Sequence, residues 1–122
     1  MSIPTILVED SKTIREALVP TMEELASVEV VAFAESATEA TRILAELGTT
    51  WRLAVIDLFL REGSGLSVVR ACQVREPHQR VVVLSNYATA EIRKRCLELG
   101  ADAVFDKSTE LDAFLEYCAA ID

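Results

Sequence analysis

Val81-Val82-Val83-Leu84-Ser85 reads as a strand that is apolar on both faces and stops on a hydroxyl. Four apolar residues in a row, without alternation, suit a parallel strand covered on both sides better than one with a wet face. Outward from it, strand and helix patterns alternate to both ends of the chain. Upstream, Leu53 to Ile56 is another apolar run that meets Asp57, and Ser64 to Glu76 has helical spacing with Leu66, Val69 and Cys72 or Gln73 inward, closed by Pro77. Downstream, residues 88 to 99 form a helix stopping at Gly100, Ala103 to Phe105 a short strand, and residues 109 to 120 a helix with Leu111, Phe114, Leu115 and Cys118 inward. The first third adds strand Ile3 to Val8, helix 11 to 26 with Ser11 as cap, strand Val28 to Phe33, and helix 37 to 47. Ser36 and Glu39 have capping-box spacing, and Gly48 is a stop. Pro20 is expected to kink the first helix or end its regular part early, because it removes an internal donor. Five strands alternating with five helices predict an α/β fold, doubly wound, with helices on both faces of a five-stranded parallel sheet.

The 122 residues fit one domain, expected over 1–122. Hydrophobic residues are 51% and charged residues 26%, an ordinary globular balance. The net charge of −8 argues against non-specific nucleic-acid binding, which needs a positive field, and no basic helix-turn-helix segment is visible. No apolar run reaches the roughly 20 residues that span a bilayer. The start, MSIPTILVED, looks like a first strand rather than a signal peptide. Cys72, Cys96 and Cys118 are odd in number and far apart, which suggests free thiols in a reducing cytoplasm. The one histidine, His78, makes a histidine zinc site untenable.

Function is written in where the strands end. Four of the five end on polar residues: Glu9-Asp10, Asp57, Ser85 and Lys107. In a parallel sheet all C-termini share one edge, where open α/β folds bind ligands. With strand order 2-1-3-4-5, Glu9 and Asp10 fall beside Asp57. Three neighbouring carboxylates repel one another unless a cation or proton compensates, and an all-oxygen set suits Mg2+ or Mn2+. Neither a GxxxxGK[ST] nor a GxGxxG pattern is present. Phosphoryl chemistry remains, with Asp57 as nucleophile, Lys107 meeting negative charge and Ser85 donating to a phosphoryl oxygen.

These elements carry a resemblance. ILVEDS with Glu9-Asp10, LAVIDLFL with Asp57, Gly65 eight residues later, VVVLSNYA with Ser85, and GADAVFDKS with Lys107 stand in order and at family spacing. Over essentially its whole length the chain resembles a response-regulator receiver domain of two-component signalling, the flavodoxin- or CheY-like three-layer fold. The resemblance implies transfer of a phosphoryl group to Asp57 from a sensor histidine kinase or histidine phosphotransfer protein, and autodephosphorylation afterwards. It implies Mg2+, with Mn2+ as a substitute, on Asp10, Asp57 and the Phe59 carbonyl, and on Glu9 through water. It also implies an output surface of helix four, strand five and helix five that meets a downstream protein, an output domain or, on phosphorylation, a second copy.

The departures from the family pattern define four tuning positions. Arg61 stands where proline is frequent, and Asn86 where a small residue is usual. Tyr87 lies at a position that tunes dephosphorylation. Val104 replaces the aromatic switch residue, and Phe105, one later, is expected on the other face of the strand. Ser108 follows Lys107 in place of proline, so a trans peptide and a serine cap for helix five are expected. Arg93, Lys94 and Arg95 form a basic cluster, read as a solvated face or a docking patch. The alternative function is a pseudo-receiver, a protein-docking module without phosphorylation. A hydrolase using an aspartyl-phosphate would need a second aspartate at position 59, which is phenylalanine.

Overall fold

The computed structural model describes residues 2–121, so the outer ends of the expected domain, Met1 and Asp122, lie outside the described residues. The chain runs β1 (Ile3–Val8), α1 (Lys12–Leu25), β2 (Val28–Ala34), α2 (Ala37–Leu47), β3 (Leu53–Ile56), α3 (Gly65–Ala71), β4 (Arg80–Ser85), α4 (Ala90–Glu98), β5 (Ala103–Asp106) and α5 (Leu111–Ala119). The strands form one sheet in the order β2-β1-β3-β4-β5, every neighbouring pair parallel, as expected.

Alternation along the inner strands divides the apolar side chains between two cores. Ile6, Val8, Ala54, Ile56, Val81 and Val83 face Leu44 of α2, Val68 and Val69 of α3 and Cys96 of α4. Leu7, Leu53, Val55, Val82 and Leu84 face Leu18 and Met22 of α1 and Phe114, Leu115 and Cys118 of α5. Each fully buried aliphatic or aromatic side chain here contributes about 1.5–3 kcal/mol against exposure. β3 and β4, apolar on both faces, are therefore locked inside the sheet, and their polar ends are held at its C-terminal edge. The three cysteines are free and buried.

Local signals set most helix ends. Ser11 Oγ accepts from Ile14 N–H at 3.2 Å, and Ser36 Oγ from Glu39 N–H at 3.1 Å. The Glu39 carboxylate returns to Glu35 N–H, one residue before the cap. Gly48 ends α2 with φ of +57°, the left-handed region that favours glycine.

Four expectations are corrected. Of the two outcomes expected at Pro20, early termination is the one overturned: α1 passes through it and runs to Leu25. α3 stops at Ala71 rather than near Glu76: Arg75 turns back, donating to the Cys72 carbonyl at 2.7 Å and the Gln79 carbonyl at 3.0 Å, and reaches Asp102 at 2.8 Å. Gln73 and Val74 are consequently exposed and the apolar period ends at Cys72. α4 begins after the Thr89 cap, whose hydroxyl accepts from Ile92 N–H at 3.2 Å. Ser108 does not cap α5; Asp106 Oδ1 accepts from Ser108 N–H at 2.7 Å and Thr109 N–H at 3.2 Å, and this turn delays the helix until Glu110. The peptide after Lys107 is trans, as expected.

Candidate functional site: a carboxylate cluster at the sheet edge

The chain order reverses between β1 and β3, so the crevice opens at their C-terminal ends. The ladder reaches one residue past each strand: Asp57 N–H donates to the Val8 carbonyl at 2.9 Å, and Glu9 N–H to the Ala34 carbonyl at 2.9 Å. Backbone pairing thus sets both carboxylates, with Asp10 next in line. Ligand atoms of Glu9, Asp10 and Asp57 all lie within 4.8 Å of one another.

Glu9 is 2% exposed and Asp57 8%. Burial pushes the Glu9 carboxyl above its ordinary range, against the Lys107 ammonium, which pulls it down. Lys107 Nζ lies 2.5 Å from Glu9 Oε1 and 3.3 Å from Asp57 Oδ2, making it the internal counter-cation of the cluster. Fully ionised, three carboxylates and one ammonium leave a formal charge of −2, a deficit that a divalent cation matches. An oxygen-only donor set fits Mg2+ better than zinc.

Ser85 and Lys107 meet at the end of the β4–β5 ladder, where Lys107 N–H donates to the Ser85 carbonyl at 2.9 Å. Ser85 is fully buried and its Oγ accepts from Tyr87 N–H at 3.2 Å. The sequence-selected set Glu9, Asp10, Asp57, Ser85 and Lys107 therefore sits at one sheet edge. His78 lies at the opposite edge, its Nε2 3.3 Å from the Thr49 carbonyl.

Gly65 has a purely steric reason. A Cβ there would lie 2.1 Å from the Asp57 carbonyl oxygen and 2.6 Å from Leu58 Cα. Gly65 N–H donates to the Leu58 carbonyl at 3.0 Å, and a Phe59–Ser64 bridge closes the loop between β3 and α3. Phe59 N–H reaches Asp57 Oδ1 at 3.4 Å.

The tuning positions occupy different places. Arg61 is exposed on the lip of a cavity of about 540 Å³ that begins at Asp10 and continues past Leu66 to Ile92. Asn86 is exposed beside Lys107 and Leu111. Tyr87 meets Phe59 edge to face at 5.2 Å, an aromatic pair that sequence reading missed because it gave Phe59 only a carbonyl role. Val104 is buried in the aliphatic core on the α3–α4 side, whereas Phe105 packs against Phe114 and Tyr117 at 5.9 and 5.7 Å on the other face. The opposite facing of residues 104 and 105 is as expected. Arg93 departs from the solvated-patch expectation: its guanidinium is used within the fold, bonded to two carbonyls and Glu110.

A family model of the response regulator receiver domain matches residues 5–119. The chain belongs to the response-regulator receiver family. As a receiver domain it is 32% identical over 107 residues, 88% of its length, to a cyclic di-GMP phosphodiesterase of Thermotoga maritima. It spans between 27% and 55% of the length of the first curated relatives it matches. The response regulator domain of Thermotoga maritima CheB superposes with a TM-score of 0.81 at 21% identity, covering 100% of this receiver and 99% of that chain. A chain of the CheX–CheY–BeF3–Mg2+ complex from Borrelia burgdorferi superposes with a TM-score of 0.82 at 17% identity, covering 93% and 84%. At these identities the two structures establish the fold. Receiver domains generally bind Mg2+ and act with histidine kinases or phosphotransfer proteins and output partners. No helix among the described residues is long and apolar enough to cross a membrane.

Proposed function

We propose that this receiver accepts a phosphoryl group on Asp57 from the phosphohistidine of a sensor histidine kinase or a histidine phosphotransfer protein, and signals through phosphorylation-dependent protein contacts. The observation that carries the reading is the approach of Lys107 Nζ to within 3.3 Å of Asp57 Oδ2, inside a cluster that also gathers Glu9 and Asp10. Asp10, Asp57 and the Phe59 carbonyl would hold Mg2+, with Glu9 acting through water and Mn2+ able to substitute. When bound, the metal neutralises carboxylate and phosphoryl oxygens.

The chain's own residues do the rest. An Asp57 carboxylate oxygen attacks phosphorus; the O–P bond forms as the donor's P–N bond breaks, and the imidazole nitrogen keeps the electron pair. Lys107 releases its hold on Glu9 and Asp57 to pair with the new phosphoryl charge. The Ser85 hydroxyl donates its hydrogen to a phosphoryl oxygen while its Oγ can keep accepting from the Tyr87 amide. Phe59 and Tyr87 pair edge to face beside the site, and Tyr87, Arg61 and Asn86 tune its rates.

The output face is α4, β5 and α5, and it meets a downstream protein, an output domain or a second phosphorylated copy. A reducing cytoplasm is the expected compartment, consistent with three buried free thiols. The reading is tested by calorimetric titration of beryllofluoride in Mg2+. One equivalent should bind the wild-type chain and none Asp57→Asn; equal binding to both contradicts it, and absence of binding to either favours the pseudo-receiver.

A further inference from the structure

Beyond the Ser85–Lys107 backbone bond the two chains diverge. One enters the loop leading to α4; the other passes through Ser108 and Thr109 to α5. The Arg93 side chain spans the gap, and the Asp106 carboxylate also meets the Ala88 amide across it. Arg93, on α4, donates from Nε to the Ala88 carbonyl at 2.8 Å and from Nη1 to the Val104 carbonyl at 3.1 Å, and its Nη2 pairs with the Glu110 carboxylate. Glu110 Oε1 also accepts from Asp106 N–H at 3.0 Å. Ala88 lies three residues after Ser85, Val104 three before Lys107, and Asp106 directly before Lys107.

The arrangement is specific to a guanidinium. Three donors leave one planar group in three directions, which a lysine ammonium on a flexible stem does not reproduce. Arg93 is also half-buried, so its bonds are better shielded than those of the exposed Lys12–Glu16 or Arg42–Glu46 pairs. Val104 enters this link through its carbonyl, while its small aliphatic side chain lies in the core cluster against which Ala88 and Ile92 also pack. The polar link between the exits of β4 and β5 therefore includes the Arg93 guanidinium, beside the Ala88–Asp106 contact, with valine rather than an aromatic ring at 104.

We propose that Arg93 is a positioning residue for phosphoryl transfer. It fixes the segment after Ser85 against the segment before Lys107, and through Glu110 it passes any change in their spacing to α4 and α5. The proposal rests on the reading of Asp57 as phosphoryl acceptor, with Ser85 and Lys107 contacting the phosphoryl group. The carboxylate cluster on β1 and β3 is outside this link, since Arg93 bonds none of Glu9, Asp10 or Asp57. Metal binding and phosphoryl-analogue binding should therefore separate.

The experiment titrates the full chain first with Mg2+ and then with beryllofluoride in saturating Mg2+, by calorimetry, with thermal unfolding as a control. Arg93→Ala should bind Mg2+ within about twofold of wild type and beryllofluoride about tenfold more weakly, the effect of losing one or two productive hydrogen bonds. Arg93→Lys should recover less than half of that loss on a logarithmic scale, because it restores charge without the fork. Wild-type beryllofluoride affinity in Arg93→Ala, full recovery in Arg93→Lys, or a parallel loss of Mg2+ affinity overturns the proposal. Failure of the wild-type chain to bind beryllofluoride, or binding by Asp57→Asn, removes the underlying reading instead. If Arg93→Ala does not fold, Glu110→Gln serves: it keeps both carbonyl bonds and should weaken beryllofluoride about threefold by loss of one charged contact, and an unchanged affinity overturns the proposal.

Discussion

Replacing Gly65 with alanine tests how the loop after Asp57 is built. The added Cβ would stand 2.1 Å from the Asp57 carbonyl oxygen, where separations under 3.0 Å are essentially never observed, so the backbone must open by about 0.9 Å. Backbone atoms are the obstruction, so no side chain can rotate away. Overpacking of this kind costs about 1–3 kcal/mol. The Gly65 N–H to Leu58 carbonyl bond, 3.0 Å long, is strained or lost, adding about 1 kcal/mol. Reduced freedom of the unfolded alanine chain returns about 0.4–1 kcal/mol. The net expectation, from these overpacking and hydrogen-bond costs less the unfolded-chain return, is a loss of about 1–3.5 kcal/mol in urea unfolding with an unchanged m-value. Because the displaced atom belongs to Asp57, phosphoryl uptake should also fall by about 10–100-fold, the usual consequence of an ångström-scale misplacement. Gly48→Ala is the control: nothing lies within 4 Å of its Cβ, and only its φ of +57° resists, at about 1–2 kcal/mol with uptake unaffected. A Gly65→Ala chain within about 0.5 kcal/mol of wild type, the range of a neutral surface change, would refute the steric reasoning.

Lys107→Met removes the internal counter-cation; in Mg2+-free buffer it should destabilise the fold by about 3 kcal/mol or drive Glu9 to take up a proton, while Mg2+ restores more stability to the variant than to wild type in thermal melts. An Mg2+-induced gain smaller than that of wild type would contradict that role. Burial pushes the Cys72 thiol up to about 11 and that of Cys118 up to about 12. Folded values above the ordinary 9.0 mean that the stability from burying neutral thiols is full below pH 9.0 and is lost as pH rises through 11 to 12, so urea midpoints should fall over that range. The reverse sign holds for Glu110, lowered chiefly by its bond from Arg93, and for Asp106, lowered chiefly by the Ser108 amide. Their contributions are full above the ordinary carboxylate range and disappear as pH falls through the lowered values, so Glu110→Gln should flatten the acid limb of a stability–pH profile.

The fold was legible because the signals that define it are local and mutually consistent. Unbroken apolar runs at Leu53–Ile56 and Val81–Leu84 demand helices on both faces, and the polar residues closing the strands mark one edge. The site was legible for the same reason: parallel topology brings Asp10, Asp57 and Lys107 together once the order is known. What was not legible depends on contacts distant in sequence. The end of α3 is set by Arg75 reaching Asp102, which no helical periodicity encodes. The α5 start is set by an Asp106 turn that competes with the Ser108 cap. Arg93 read as one of three adjacent cations on an exposed helix; its partners at 88, 104 and 110 lie on three other segments. Gly65 was recognised by its spacing, but the carbonyl it must clear required coordinates.

The central claim is that Asp57 itself forms the acyl phosphate, and that Mg2+ is required. The direct measurement is intact-mass analysis after incubation with a small acyl phosphate, followed by borohydride reduction and peptide mapping. The account predicts one added phosphoryl group per chain in Mg2+, none in EDTA, and a reduced residue at position 57 alone. A phosphoryl group on any other residue, or equal labelling of Asp57→Asn, would contradict it.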